Sequence, residues 1–169
     1  MNTDLSIIKR NGKTAPLDIQ KIHKVVNYAC ENLTGVSSSL VQMNAGIQFA
    51  DKMSSREIQD LLIRSANDLI SLDQPNYQYV AARLLLYGIY KDVFGGFEKV
   101  PLLEMVKRNI NRSVYDADIL EKYTEDEFEQ MEKYLKHNRD ENFTYAGLRQ
   151  IVDKYLCQDR STSEVFESP

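Results

Sequence analysis

The residues best suited to chemistry in this chain are cations. Lys9 and Arg10 end a short apolar run, Lys21 sits in the first turn of an expected helix, and Lys91 lies near the end of another. Ser55 stands just behind a helix start and offers a hydroxyl. A helix N-terminus with unpaired N–H groups and a lysine close by is a seat for phosphate, because the amides and the macrodipole both favour negative charge. Strand-end cations can close over the same anion. The plainer alternative is a set of solvated lysines on a mixed surface. Single lysines at helix starts are common, and the residues by themselves favour that reading.

Other chemistries lack their motifs. The sequence has no Gly-x-x-x-x-Gly-Lys-Ser/Thr loop, no Gly-x-Gly-x-x-Gly turn, and no Cys-x-x-Cys or His-x-x-x-His ligand spacing. Cys157 has no base beside it in sequence, and His23 follows Ile22 as a boundary residue. Glu125, Asp126 and Glu127 fall in a first helical turn, where carboxylates serve the dipole and the cap. No residue is assigned a catalytic or metal-binding role.

The elements that must position the cations are mostly helical. Asn11-Gly12 between two short extended runs predicts a hairpin over 5–17, since both turn residues tolerate positive φ. Asp18 can cap a helix with Ile19, Ile22, Val25, Val26, Ala29 and Leu33 on one face. A second helix is expected over 38–46 and a short third strand over 47–49. Ser54 and Glu57 form a capping box ahead of Ile58, Leu61, Leu62, Ala66 and Leu69. Pro75 opens a helix that Gly95-Gly96 ends, and this glycine pair is the expected domain boundary, giving domains 1–95 and 96–169.

Beyond it, Pro101 starts a short helix, and Thr124 with Glu127 caps another that turns Phe128, Met131 and Leu135 inward. His137 to Asp140 reads as a polar break. Thr144 caps a helix with Leu148, Ile151, Val152 and Tyr155 inside, and a hairpin around 159–163 follows. The chain then stops at Glu167-Ser168-Pro169 without a closing element, so it reads as cut off.

Composition limits the partners. The 169 residues suffice for one or two domains, with 43% hydrophobic and 27% charged residues, ordinary for a soluble protein. A net charge of -4 gives no basic field for nucleic acid or membrane, so an anion site must be a local cation cluster. Two distant cysteines, Cys30 and Cys157, fit a reducing compartment. No apolar run approaches a membrane span or a signal segment, and a cytoplasmic protein is expected.

A family resemblance changes the weight given to the cations. Ile7-Ile8-Lys9-Arg10-Asn11-Gly12 and Leu17-Asp18-Ile19-Gln20-Lys21-Ile22 resemble the opening of the ATP-cone domain. The run Asp73-Gln74-Pro75-Asn76-Tyr77-Gln78-Tyr79-Val80-Ala81-Ala82-Arg83-Leu84 is similar to a stretch of class I ribonucleoside-diphosphate reductase large subunits. The likeness continues through 122–127, His137-Asn138-Arg139-Asp140, Phe143-Thr144-Tyr145 and Lys154-Tyr155-Leu156. It implies a mainly α fold: an ATP-cone, meaning a helical bundle capped by a small β-sheet, then helices preceding an α/β barrel that this chain lacks.

The resemblance further implies that ATP or dATP, with magnesium, binds as an allosteric effector on Lys9, Arg10, Lys21, Ile22, Ser55, Ile58 and Lys91. Two positions depart from the family: Ala15 stands where an acidic residue is frequent, and Gln59 where a histidine is frequent. The active-site cysteines of the family lie downstream, so the chain is expected to be inactive alone and to hold no redox cofactor. Its implied partners are the rest of the large subunit, a radical-generating small subunit, and thioredoxin or glutaredoxin. Whether it is a fragment or a separately encoded part stays open. A degenerate cone that survives as an assembly module is the alternative.

Overall fold

The computed structural model describes residues 5–169. They form two compact units. One holds the residues up to Gly88 together with Asn142–Arg149, and the other holds Ile89–Glu141 and Gln150–Pro169.

The first unit opens with the expected hairpin. β1 (Ser6–Ile8) and β2 (Thr14–Pro16) pair antiparallel, Ser6 opposite Pro16 and Ile8 opposite Thr14. Gly12 donates to the Lys9 carbonyl at 2.8 Å and has a φ of 77°, a region that glycine enters without strain. β3 (Met53–Ser54) joins the other edge of β1 in parallel, Ile7 opposite Met53 and Ile8 opposite Ser54. The third strand is therefore not at 47–49. There the amides of Gln48 and Phe49 donate to the carbonyls of Ala45 and Gly46, which winds the segment into a turn with no donors left for a sheet. Asp51 instead fastens β3 to β1, its carboxylate accepting from the Ser6 N–H at 2.8 Å and the Ser6 hydroxyl at 2.7 Å.

Four helices carry this unit's core: α1 (Ile19–Cys30), α2 (Ser38–Gly46), α3 (Ser55–Asp68) and α4 (Tyr77–Val93). Asp18 caps α1 through the Lys21 N–H, Ser37 caps α2 through the Leu40 N–H, and Ser54 with Glu57 forms the complete capping box on α3. These caps settle where each helix begins, because an unpaired first-turn N–H is costly. Val26, Ala29, Val41, Ala45, Leu62, Ala66, Val80 and Leu84 are buried between the helices.

Polar side chains at the start of α4 grip the α1–α2 connection. Tyr77 is fully buried, and its hydroxyl accepts from the Ser37 N–H at 2.9 Å. Asn76 donates to the Thr34 carbonyl at 2.9 Å. Arg83 donates to the carbonyls of Ala29 at 3.3 Å and Glu31 at 2.7 Å, satisfying acceptors that the end of α1 leaves open. The most family-like run of the sequence is thus a fastening.

The second unit holds α5 (Leu102–Asn111), α6 (Asp118–Lys122) and α7 (Glu125–Glu132), with Thr124 and Glu127 as a second capping box. Residues His137–Asn142 form a 3₁₀ turn where a break was expected, and Asp140 within it is buried. α8 (Tyr145–Lys154) starts in the first unit and ends in the second, leading to the hairpin of β4 (Gln158–Asp159) and β5 (Glu164–Val165). Leu135 and Tyr155 were expected inside but are 45% and 71% exposed, since α7 stops at Glu132 and α8 at Lys154, short of both.

Gly95, with a φ of 78°, follows the end of α4, as the glycine pair predicts. The units, however, divide after Gly88, because α4 outlasts the first core and enters the second.

Replacing Tyr77 by Phe strips the Ser37 N–H of its partner while keeping the ring. A loss of about 1 kcal/mol is expected from urea unfolding, with little change in slope. A loss within error would show that the ring, and not the hydroxyl, fastens the loop.

Candidate functional site

The strand register decides which of the expected residues share a place. β1 runs parallel to β3, so the end of β1, followed by Lys9 and Arg10, lies at the same end of the sheet as the Ser54–Ser55 junction where α3 begins. Lys9 and Arg10 are exposed there, and Ser55 is half-buried in the first turn of α3. Ile58 is buried on the same helix. Lys21 and Ile22 arrive by another route. β2 leaves the sheet at its opposite end, where the Leu17 N–H donates to Leu5, and Asp18 then starts α1. Ile22 is half-buried, while Lys21 is exposed and lies 3.4 Å from the Asp18 carboxylate. Lys91, in the last turn of α4, belongs to the second unit, its ammonium 5.7 Å from the centre of the Phe97 ring.

One residue of this region was noted in sequence only as a family departure. Gln59 is buried one turn beyond Ser55 on α3, and its amide donates to the Leu84 carbonyl of α4 at 2.6 Å. Its Cγ approaches Gly88, one turn further along α4, where an added Cβ would lie 3.8 Å away. The Arg10 guanidinium reaches the Gly88 carbonyl through two nitrogens at 3.5 Å each. Arg10, Gln59 and the carbonyls of Leu84 and Gly88 therefore converge on one stretch of α4. A buried glutamine on an amphipathic helix was the available signal, since such an amide must find a partner. Ala15 sits on β2 opposite Ile7 and is half-buried.

Chemically, this end of the sheet offers the amide dipoles of α3, one hydroxyl and two exposed cations. That set suits a multiply charged oxyanion. The helix starts already hold carboxylates: Glu57 accepts from the Ser54 N–H at 2.7 Å and Asp18 from the Lys21 N–H at 3.2 Å. These backbone hydrogen bonds hold both carboxyls below their ordinary values of 4.5 and 3.8. A carboxyl depressed in the fold stabilises it above its unfolded pKa, and that contribution goes as pH falls through the folded one. Stability should therefore hold from neutrality to about pH 5 and decline below about pH 4. Ser54→Ala, followed by urea unfolding at neutral pH, should cost about 1 kcal/mol and flatten part of the acid decline. An unchanged acid profile in both Ser54→Ala and Glu57→Gln would refute the role of the box.

A second cluster, unforeseen in sequence, lies in the second unit. The Tyr90 hydroxyl donates to the buried Asp140 carboxylate at 2.7 Å, and His137 Nδ1 lies 3.4 Å from the same oxygen. The Lys99 ammonium sits 2.9 Å above the centre of the Tyr90 ring and 5.1 Å from that of Phe94. Burial lowers Lys99 to about 8, against the opposing pull of Asp140 and Glu141. The folded chain then gives up this proton before the unfolded chain does, so stability rises with pH between about 8 and 10.5. Lys99→Met should remove that rise in unfolding curves taken across this range. A rise of equal size in the variant would exclude Lys99 as its source.

The family model described as ATP cone domain matches residues 5–92. Ribonucleoside-diphosphate reductase 1 subunit alpha of Salmonella typhimurium is 43% identical over 168 residues, 99% of this chain and 22% of that protein. The protein of the same description in Escherichia coli is 42% identical over the same shares. The ribonucleoside-diphosphate reductase subunit alpha of Enterobacteria phage T4 is 36% identical over 98% of this chain and 22% of its own length. The chain thus spans 22% of the length of these relatives.

Proposed function

Since the chain belongs to the ATP-cone family, we propose that its first unit binds ATP or dATP as the activity effector of a ribonucleoside-diphosphate reductase, of which the chain is the N-terminal part. The supporting observation is the parallel pairing of β1 with β3, which sets Lys9 and Arg10 beside the capped start of α3. In this reading the phosphates, with magnesium, engage Lys9 and Arg10 together with Ser55 and the first amides of α3, while Lys21 and Lys91 join the set on the family resemblance alone. The base lies against Ile22 and Ile58. Cations and helix dipole replace the water that a triphosphate gives up, and apolar walls suit the base.

The cone domain is read as residues 1–95, and 96–169 as the helical lead-in to a catalytic domain. The complete enzyme would reduce ribonucleoside diphosphates to deoxyribonucleoside diphosphates. It would draw on a radical-generating small subunit and on thioredoxin or glutaredoxin. The catalytic chemistry is assigned to sequence outside this chain, so it should turn over no ribonucleoside diphosphate until joined to the rest of the large subunit and the small subunit.

Calorimetry with ATP and dATP tests the reading. Lys9→Ala and Lys21→Ala should each weaken binding by roughly tenfold, the equivalent of one charge-assisted contact. Absence of heat at millimolar nucleotide would end the sensing proposal and favour a cone retained as an assembly module.

A further inference from the structure

The turn that carries Lys9 and Arg10 also holds a reactive pair. Asn11 is followed by Gly12, whereas every other asparagine of the chain precedes a residue with a side chain. Asparagine amides are chemically labile, and the backbone nitrogen of the next residue is the nucleophile nearest to them. A Cβ on that next residue is the main obstacle to its approach, and Gly12 has none. An added Cβ there would meet nothing within 4 Å, so the turn is open on that side. Asn11, Gly12 and Lys13 are all exposed, and water reaches the amide.

The geometry of the turn favours the attack in two ways and restrains it in one. Asn11 Oδ1 accepts from the Lys13 N–H at 3.1 Å, which folds the side chain over the backbone that follows it and draws electrons from its amide carbon. Lys9, Arg10 and Lys13 lie within two residues of Asn11 and favour the negative charge that the attack creates. Against this, the Gly12 N–H is donated to the Lys9 carbonyl at 2.8 Å. The turn must open before that nitrogen can attack.

We propose that Asn11-Gly12 is a self-modification site, which turns a neutral side chain of the cation-bearing turn into a carboxylate at a pace set by opening of the hairpin. The Gly12 nitrogen gives up its proton and bonds to Asn11 Cγ. The Cγ–Nδ2 bond breaks, and Nδ2 leaves with a proton as ammonia, so that a succinimide ring remains. Water then opens the ring at either carbonyl, giving aspartate or isoaspartate. The second product lengthens the backbone of the turn by one methylene. Water is the only co-reactant. Either product sets one negative charge beside Lys9 and Arg10. Resting on the effector reading above, this charge weakens nucleotide binding as the chain ages.

The test incubates the 169-residue chain in heavy-oxygen water and follows its peptides by mass spectrometry. The peptide holding Asn11 should gain heavy oxygen before that of any other asparagine, as a mixture of aspartate and isoaspartate. Conversion should quicken with rising pH, which deprotonates the nucleophile, and again in urea, which opens the turn. Gly12→Ala, compared with wild type in urea where strain in the folded turn plays no part, should convert about tenfold more slowly. Earlier conversion of another asparagine, or an equal rate in Gly12→Ala, overturns the self-modification. An equal rate in the folded and the urea-unfolded chain overturns the control by the hairpin. Calorimetry with Mg-ATP tests the consequence separately. Asn11→Asp should bind about fivefold more weakly, the size of one charge–charge interaction in water. Equal affinity of Asn11→Asp and wild type overturns the charge effect and leaves the effector site standing. Absence of heat with wild type overturns the effector reading, whereas the conversion is read independently by mass.

Discussion

Backbone carbonyls, both those that a helix end leaves open and those on a helix flank with a lone pair to spare, are met here by side chains from other elements, and these bonds organise the structure. The end of α1 is met by Arg83 and the flank of α4 by Gln59 and Arg10. In the second unit, Arg108 donates to the Val93 carbonyl where α4 ends. Each donor comes from a different element than its acceptor, so each bond fixes a packing geometry as well as a polar group. Apolar burial supplies most of the driving force, yet it is indifferent to small slides of one helix along another. A guanidinium or amide aimed at one carbonyl is not indifferent. That is why a run as polar as Asn76 to Arg83 can be the most recognisable feature of the chain while touching no proposed ligand.

The same logic shapes the cations of the candidate site. Several of these cations already have internal company in a chain whose net charge is -4. Lys21 has the cap aspartate, Lys91 has the Phe97 ring and Arg10 has a carbonyl of α4. At the exposed positions of Lys21 and Arg10 such contacts are weak, because water screens the charges.

Local chemistry was the part of the fold that the sequence made legible. The Asn11-Gly12 turn, the caps at Asp18, Ser54 and Thr124, the helix stop near Gly95 and the closing hairpin all depend on residues a few places apart. What escaped was non-local. The third strand lies at 53–54 because Asp51 reaches Ser6, a pairing that no alternation pattern in 47–49 records. Asp140 reads as part of a polar break until the Tyr90 hydroxyl, fifty residues earlier, is seen to hold it. Gln59 was legible as a family departure, but its bond to Leu84 was not. For the site, residue types by themselves favoured solvated lysines and only the family resemblance pointed to an anion; strand order then separated the set. Lys9, Arg10 and Ser55 share one end of the sheet, whereas Lys21 descends from the other.

The parallel pairing of β1 with β3 also bears on how the molecule is made. The β1–β2 hairpin is local and closes within microseconds, whereas β3 must find β1 across a separation of 46 residues, Ile7 to Met53. Contacts so distant in sequence form late, after the intervening chain has collapsed. Both α1 and α2 lie in that interval, so their packing shortens the effective loop before the third strand docks. A nascent chain can therefore display its finished hairpin, with Lys9 and Arg10 in place, well before the start of α3 arrives beside them. This end of the sheet is therefore built in two stages, the hairpin first and the third strand with the start of α3 after it.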